Sequence, residues 1–348
     1  MEREAYTSSR KRDHLRICCE NPVEEGESGF GDVRLVHNAL PEVDLKSIDT
    51  HVRLFGSLLK LPLFITGMTG GHPETREVNR RLALAAERFG LGMGVGSQRA
   101  ALENPDLEET FSVVRDTAPH AFLCANLGIV QLRDHGTEWA ERAIEMIDAD
   151  AICVHLNFLQ EAIQPEGDHD AIGCLQALSD LTAAIDLPVI VKETGCGISA
   201  DVARRLLGAG ARAIDISGWG GTSWAAVEVY RQSDEARAAI GRAFSSWGIP
   251  TVVSLREVMG TGATVIASGG VRSGIDIAKA IALGADLGGM ALPLLRSALA
   301  GEEDLFRTIE TVQEELRISM FLTGSRTVTD LKRVKFYITG DSRQMLEP

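Results

Sequence analysis

The sequence predicts an α/β protein of the (β/α)8, or TIM-barrel, class, with an N-terminal extension over residues 1–60 and the barrel plus a C-terminal tail over residues 61–348. Three features point there. From residue 61 onward, eight short apolar runs alternate with amphipathic helical segments. Each run is almost continuously apolar, the pattern of a strand covered on both faces rather than one with a wet side. The chain is 45% apolar but only 5% aromatic, so its core must be built from Ala, Val, Ile and Leu, which suits helices packed on parallel strands.

The first four strands are expected at 61–67 (LPLFITG), 91–96 (LGMGVG), 121–128 (AFLCANLG) and 151–157 (AICVHLN). The other four are expected at 187–193 (LPVIVKE), 211–217 (ARAIDIS), 263–269 (ATVIASG) and 286–292 (DLGGMAL). Between the first two, VNRRLALAAERFG places Val78, Leu82, Ala85, Ala86 and Phe89 on one helical face and stops at Gly90. The segments SADVARRLLGAG and SGIDIAKAIALGA open with a serine suited to capping and end in Gly-Ala. TVVSLREVM starts like a strand, but reading it as a helix closes the count at eight. The rival architecture, a doubly wound open sheet, asks for GxGxxG after its first strand; here GMGVGSQ follows the second, and the acidic partner of that fingerprint is missing.

The first 60 residues are polar, contain glycine and show no long periodic helix, so they are expected to pack over the barrel as an extension. The stretch GWGGTSWAAVEVYRQSDEAR after the sixth strand is long for a βα connection and is expected to be functional or to act as a lid. The last 40 or so residues read as a helix, then LTGSRTV, then a short tail.

Charge and cysteine usage narrow the function. A net charge of −14 argues against nucleic acid and acidic membrane as partners. No run of 18 apolar residues occurs, and the N-terminus lacks the apolar core of a signal peptide. Cys18, Cys19, Cys124, Cys153, Cys174 and Cys196 show no CxxC spacing, as expected of reduced thiols in a cytoplasmic protein.

In a barrel, the active site forms at the C-terminal ends of the strands. Those ends carry Thr66-Gly67-Met68-Thr69, Ser97-Gln98-Arg99, Asn126, His155-Asn157-Gln160-Glu161, Lys192-Glu193, Ser217 and Gly269-Gly270-Val271-Arg272. Seven of eight strands thus deliver hydrogen-bonding groups to one rim. The glycine-rich turn of ASGGVRSGIDIAKAIALGADLGGMALP opens a helix, so free backbone N–H groups meet whatever binds there; with Ala291-Leu292 it reads as a phosphate cradle. A tight turn that merely needs glycine remains the structural alternative, and Arg272 could equally pair with an acid. Lys192, amid apolar residues, needs an anionic or electron-rich partner to offset desolvation, either a reduced flavin or a neighbouring carboxylate such as Glu193. Arg10-Lys11-Arg12 and His14 form a basic cluster, either solvated or, on a flexible segment, closing over a diphosphate.

These motifs resemble the type 2 isopentenyl-diphosphate isomerases, FMN-dependent (β/α)8 barrels. The likeness covers nearly the whole chain through RKRDH, ITGMTGG, GVGSQR, ANLG, VHLNFLQE, QPEGD, VKETGCGIS, SGWGGTSW, SGGVRSGIDIAKAIALGAD, GMALP and LTG. It implies that Gly67, Met68, Thr69, Ser97, Asn126, Lys192, Ser217 and Thr222 line the isoalloxazine and ribityl chain of FMN, with Gly270, Val271, Arg272, Ala291 and Leu292 around its phosphate. It also implies that Arg10, Lys11, Ser97, Gln98 and Arg99 hold the substrate diphosphate, that Gln160 approaches the alkene, and that Glu161 binds Mg²⁺. Gln160, Lys192, His155 and Asn157 are the expected catalytic set. Reduced FMN would move the proton, with NADPH as reductant, between isopentenyl diphosphate and dimethylallyl diphosphate in isoprenoid biosynthesis, and the family's tetramers and octamers suggest a homo-oligomer. Phe158 stands where the family usually has Pro, and Trp219 where it has a small or polar residue.

Three other functions fit parts of the pattern. A 2-hydroxyacid oxidase or dehydrogenase would need an arginine pair that is not evident. An IMP-dehydrogenase-like enzyme would use Cys196, which follows the fifth strand. A non-catalytic flavin- or phosphate-binding protein would leave the crowd of polar groups unused.

Overall fold

The computed structural model describes the backbone of residues 2–347 and the side chains of residues 11–347. Eight parallel strands close into a barrel. They are β1 (Leu63–Ile65), β2 (Gly92–Gly94), β3 (Phe122–Gly128), β4 (Ala151–Leu156), β5 (Val189–Glu193), β6 (Ala213–Asp215), β7 (Thr264–Ala267) and β8 (Leu287–Met290). Consecutive strands are neighbours, and the ring closes where Gly288 of β8 pairs with Leu63 of β1. Every expected strand is present, each shorter than expected by one to four residues; β3 and β5 run to their expected rim ends at Gly128 and Glu193 and are shortened only at the start.

The register decides what the rim receives. Gly128 of β3 lies opposite His155 of β4, His155 opposite Lys192 of β5, and Lys192 opposite Asp215 of β6. Partners at the same level of a parallel sheet point to the same face, so His155, Lys192 and Asp215 form a polar tier. Below it Phe64, Phe122, Cys124, Cys153, Ile190 and Ile266 make an apolar floor. A hairpin of Val52–Leu54 and Ser57–Leu59 supplies Leu54 and Leu59 to that floor.

The helices cover the barrel. The N-terminal segment forms α1 (Glu2–Glu20), which corrects the expectation of an extension without a long helix. Residues 2–20 contain neither glycine nor proline, so nothing interrupts a helix before Asn21-Pro22. Its apolar stripe is short, Ile17 and Cys18 being buried, and this weak periodicity hid it from a sequence reading. Next come α2 (Thr75–Phe89), with Gly90 in the left-handed region at its C-terminus, α3 (Ile129–Met146) and α4 (Phe158–Ile163). Helix α5 (Ala200–Gly208) is capped by Ser199, whose side chain accepts from the Val202 N–H.

The long connection after β6 carries two helices, α6 (Trp224–Val229) and α7 (Glu235–Ala243). TVVSLREVM is indeed a helix, α8 (Thr251–Met259), and α9 (Gly274–Ala282) is capped by Ser273. The C-terminal region continues through the 22-residue helix α10 (Glu302–Thr323) to a short strand, Phe336–Ile338, paired with Val33–Leu35 of the extension. All six cysteines are free thiols, and no helix among the described residues is long and apolar enough to cross a membrane.

Candidate active site

Two contiguous cavities open at the C-terminal ends of the strands. One spans about 950 Å³, its solvent-filled mouth included, between β1 and the β5–β8 edge; the other, about 730 Å³ on the same measure, lies over β2–β5. They share Lys11, His14, Gly67, Met68, Lys192, Thr194 and Trp224, so Met68 and Lys192 stand at the junction.

The larger cavity gathers Thr69, Ser217, Thr222, Gly270, Arg272, Ala291 and Leu292. Gly269 and Gly270 have φ of +96° and +70°, which favours glycine. A β-carbon on either would come within 2.2 Å of the Gly218 carbonyl or 2.4 Å of the Gly220 carbonyl. The N–H groups of Gly269, Gly270 and Val271 have no acceptor among the described residues. Three successive unsatisfied donors beside a cavity are an anion cradle. The Val271 side chain is packed in the core, leaving its backbone as the only part free to serve a ligand. Arg272 is only partly available, because Glu24 of the extension pairs with it.

Lys192 is 7% exposed at the junction and donates to the Glu193 carbonyl over 2.6 Å. Among the described residues it forms no ion pair with a carboxylate. Glu193 instead turns its Oε2 to the N–H groups of Thr194 and Gly195, at 2.6 Å each, and of Cys196. Burial lifts its carboxyl to about 7 against those donors. Asp215, in register with Lys192, accepts from Ser268 Oγ; burial raises its carboxyl too, opposed by the Lys192 charge. A desolvated ammonium without a bonded counter-charge is costly unless a ligand brings electron density.

The smaller cavity is lined by Ser97, Arg99, Asn126, His155, Asn157, Gln160 and Glu161. Asn126 donates to the Val95 carbonyl over 2.8 Å, which turns its Oδ1 to His155 Nδ1, also at 2.8 Å. That fixes the imidazole with its proton on Nδ1 and a lone pair on Nε2. Burial, then the charges of Lys192 and Lys11, lowers the His155 pKa to about 3. Arg99 bonds Glu103 through Nε over 2.7 Å, leaving its terminal nitrogens for the cavity. Glu161, 7% exposed, accepts from Asn157 Nδ2 at 2.8 Å and the Asp168 N–H at 2.9 Å. No cluster of three or more His, Cys, Asp or Glu able to hold a metal occurs among the described residues. A cation here would therefore rest on Glu161 together with ligand oxygens and water, an arrangement suited to Mg²⁺.

One expected residue is not brought to the site. Gln98 is fully buried, donating to the Ala143 carbonyl over 2.8 Å and accepting from the Asn126 N–H over 2.8 Å. It ties the loop after β2 to β3 and α3 and cannot reach a diphosphate without breaking both bonds. Lys11 lines both cavities from α1, whereas the Arg10 side chain lies outside the described residues. Phe158 opens α4 and packs on the core. Trp219 donates to the Ser245 carbonyl and packs against Gly26, where a β-carbon would come within 2.0 Å of the indole.

The residue that sequence reasoning missed is Glu228. It is completely buried on α6 and accepts from His14 Nε2 (2.9 Å), Gln160 Nε2 (2.9 Å), Gln164 Nε2 (2.7 Å) and Arg231 Nη1 (2.5 Å). Burial raises its carboxyl, but the hydrogen bond and charge of His14, the charge of Arg231 and the Gln160 bond hold it down at about 2. The only signal in the sequence is an acid amid the apolar run WAAVEV.

A closed (β/α)8 barrel with an anion cradle after β7 and a buried lysine on β5 that has no ion-pair partner among the described residues defines a barrel enzyme fitted to a phosphate-bearing cofactor. Residues 136–337 match the family described as FMN-dependent dehydrogenase. Solved structures of mandelate oxidase share the fold: one with (S)-2-phenylpropionate superposes with a TM-score of 0.66 at 20% identity, covering 96% of this chain and 98% of that one. A variant with a monooxide FMN adduct gives 0.63 at 21% identity, covering 94% of this chain and 92% of that one.

Among curated proteins, the isopentenyl-diphosphate delta-isomerase of Methanoregula boonei is 64% identical over 98% of this chain and 97% of its own. Those of Archaeoglobus fulgidus and Halobacterium salinarum are 51% and 49% identical, each over 98% of this chain and over 99% and 96% of their own. The chain belongs to the FMN-dependent, type 2 isopentenyl-diphosphate delta-isomerase family.

Proposed function

We propose that this chain interconverts isopentenyl diphosphate and dimethylallyl diphosphate without net redox, in isoprenoid biosynthesis. One observation carries the reading: an anion cradle and a second cationic cavity meet at Met68 and the unpaired Lys192. That is the layout needed to place a phosphate-bearing flavin face against a second anion.

Gly67, Met68, Thr69, Ser97, Asn126, Lys192, Ser217 and Thr222 would hold the isoalloxazine and ribityl chain of FMN, and the cradle at Gly270 with Ala291, Leu292 and Arg272 its phosphate. A β-carbon on Gly67 would come within 2.3 Å of the Val95 carbonyl, so only glycine lets the backbone stay this low beneath a planar ring. Reduced FMN, when bound, supplies the group that gives a proton to one alkene carbon and takes one from another. Lys192 offsets the negative charge of that reduced form.

The chain's own groups then bind, orient and exclude. Lys11, Ser97 and Arg99 hold the diphosphate, with Arg10 on the same helix, and Glu161 shares a Mg²⁺ with its oxygens. Gln160 stands over the alkene. Because Glu228 accepts from its Nε2, the carboxamide oxygen is the end turned to the cavity, where its one contact is a long 3.5 Å hydrogen bond from Asn157 Nδ2. A neutral amide there can stabilise developing positive charge without being alkylated by it, as a carboxylate would be. Asn157 holds Glu161, and neutral His155 presents Nε2 as an acceptor. With Lys11 and His14 at both cavities, residues 1–60 act as an extension closing over the substrate. NADPH as the reductant, a tetrameric or octameric assembly and a cytoplasmic location complete the proposal, by likeness to the family. If Gln160→Ala and Lys192→Ala both retained wild-type kcat with FMN bound, the assignment of roles would be wrong.

A further inference from the structure

We infer that Gln131 is a further substrate-binding residue, donating from its carboxamide to the diphosphate. This rests on reading the smaller cavity as the diphosphate site. Gln131 lies on α3, lines that cavity and is only 6% exposed. Six other Asn and Gln residues are buried among the described residues, and each has a partner. Asn79 bonds the Thr110 carbonyl, Gln98 that of Ala143, Asn126 that of Val95, Asn157 bonds Glu161, and Gln160 and Gln164 bond Glu228. The Gln131 side chain alone makes no hydrogen bond among the described residues. A buried amide with no partner costs stability, and such exceptions call for a ligand.

The surroundings say which end serves it. The Gln131 oxygen is tucked against Gly128, where a β-carbon would come within 2.1 Å of it and 3.0 Å of His155 Nε2. Gly128 has an ordinary φ of −75°, so its missing side chain is there for space, and the space is taken by Gln131. The amide N–H groups are what remains to be offered. The cavity they share carries Lys11 and Arg99, both cationic, so the ligand it suits is an anion rich in acceptor oxygens.

The test uses the FMN-loaded protein with Mg²⁺, titrated with inorganic pyrophosphate by calorimetry, alongside steady-state kinetics. Gln131→Leu should weaken pyrophosphate binding and raise KM about tenfold or more, the worth of one hydrogen bond to a charged group. FMN affinity should be unchanged and kcat within about threefold. Gln131→Glu, of the same size but acceptor-only, should weaken binding further. If Gln131→Leu and Gln131→Glu bind pyrophosphate as wild type does while Arg99→Ala weakens it, the cavity is the diphosphate site and Gln131 is no part of it. If Arg99→Ala is also without effect, the reading of the cavity fails and the inference with it. A lower kcat at unchanged KM, or a lost grip on FMN, would give Gln131 another role and overturn the proposal.

Discussion

Gln160 Nε2 donates to Glu228 Oε1 over 2.9 Å, joining the first turn after β4 to a helix nearly seventy residues further on. Three more donors converge on the same carboxylate, so Glu228 fixes the amide orientation of Gln160 and docks His14 of α1 onto the barrel. Removing the charge from this hub, as in Glu228→Gln, leaves Arg231 and His14 facing a group that can no longer accept from all of them. We expect a loss of roughly 3 kcal/mol or more of stability, the scale of a broken buried pair, and a fall in kcat, read by urea unfolding and by product formation.

The same residue shapes the acid limb of stability. Its folded pKa is depressed from 4.5 to about 2. In that interval the unfolded chain takes up a proton that the folded one does not, so the contribution is complete above about pH 4.5 and disappears as pH falls toward 2. Linkage puts it at about 3 kcal/mol. Unfolding free energies across an acid pH series should show this slope in wild type and lack it in Glu228→Gln.

His155 should be neutral throughout the physiological range, since burial and the charges of Lys192 and Lys11 bring it to about 3. A histidine ring signal that does not titrate above about pH 5 is expected by NMR. Lys192→Met removes one of the depressing charges and should move the titration upward, while lowering kcat by about a hundredfold or more through loss of an oriented charge at the reacting group.

At the cradle, Gly270→Ala forces a side chain into a left-handed conformation and against the Gly220 carbonyl and Ser28. The strain of about 1–3 kcal/mol should appear as FMN affinity reduced by roughly tenfold or more, measured by fluorescence quenching on flavin uptake.

Glu161→Gln preserves an acceptor for Asn157 but removes the one carboxylate that lines the smaller cavity among the described residues. The Mg²⁺ concentration for half-maximal activity should rise at least tenfold with FMN affinity unchanged, as expected for a hard cation that loses an anionic oxygen.

The barrel was legible because doubly covered strands write themselves as short apolar runs, and because Ser199, Ser273 and Gly90 mark helix ends by local chemistry. The rim was legible in so far as strand ends dictate position: Lys192, His155 and Asn126 follow from the β3–β5 register. What escaped depends on partners distant in sequence. Glu228 looks like any acid in a helix until His14, Gln160 and Arg231 are seen around it. Gln98, one residue from Ser97 and Arg99, turns inward because the Ala143 carbonyl and the Asn126 N–H await it. Helix α1 is nearly all polar, and only docking against the mouth gives His14, Ile17 and Cys18 a side to bury.

The central claim is that flavin here moves a proton and is not consumed as an oxidant or reductant. The direct measurement is the amount of dimethylallyl diphosphate formed per NADPH oxidised, in anaerobic incubation of the FMN-loaded protein with isopentenyl diphosphate and Mg²⁺. Product in large excess over NADPH is the predicted result; one-to-one stoichiometry, or no product from protein that holds reduced FMN, would contradict it.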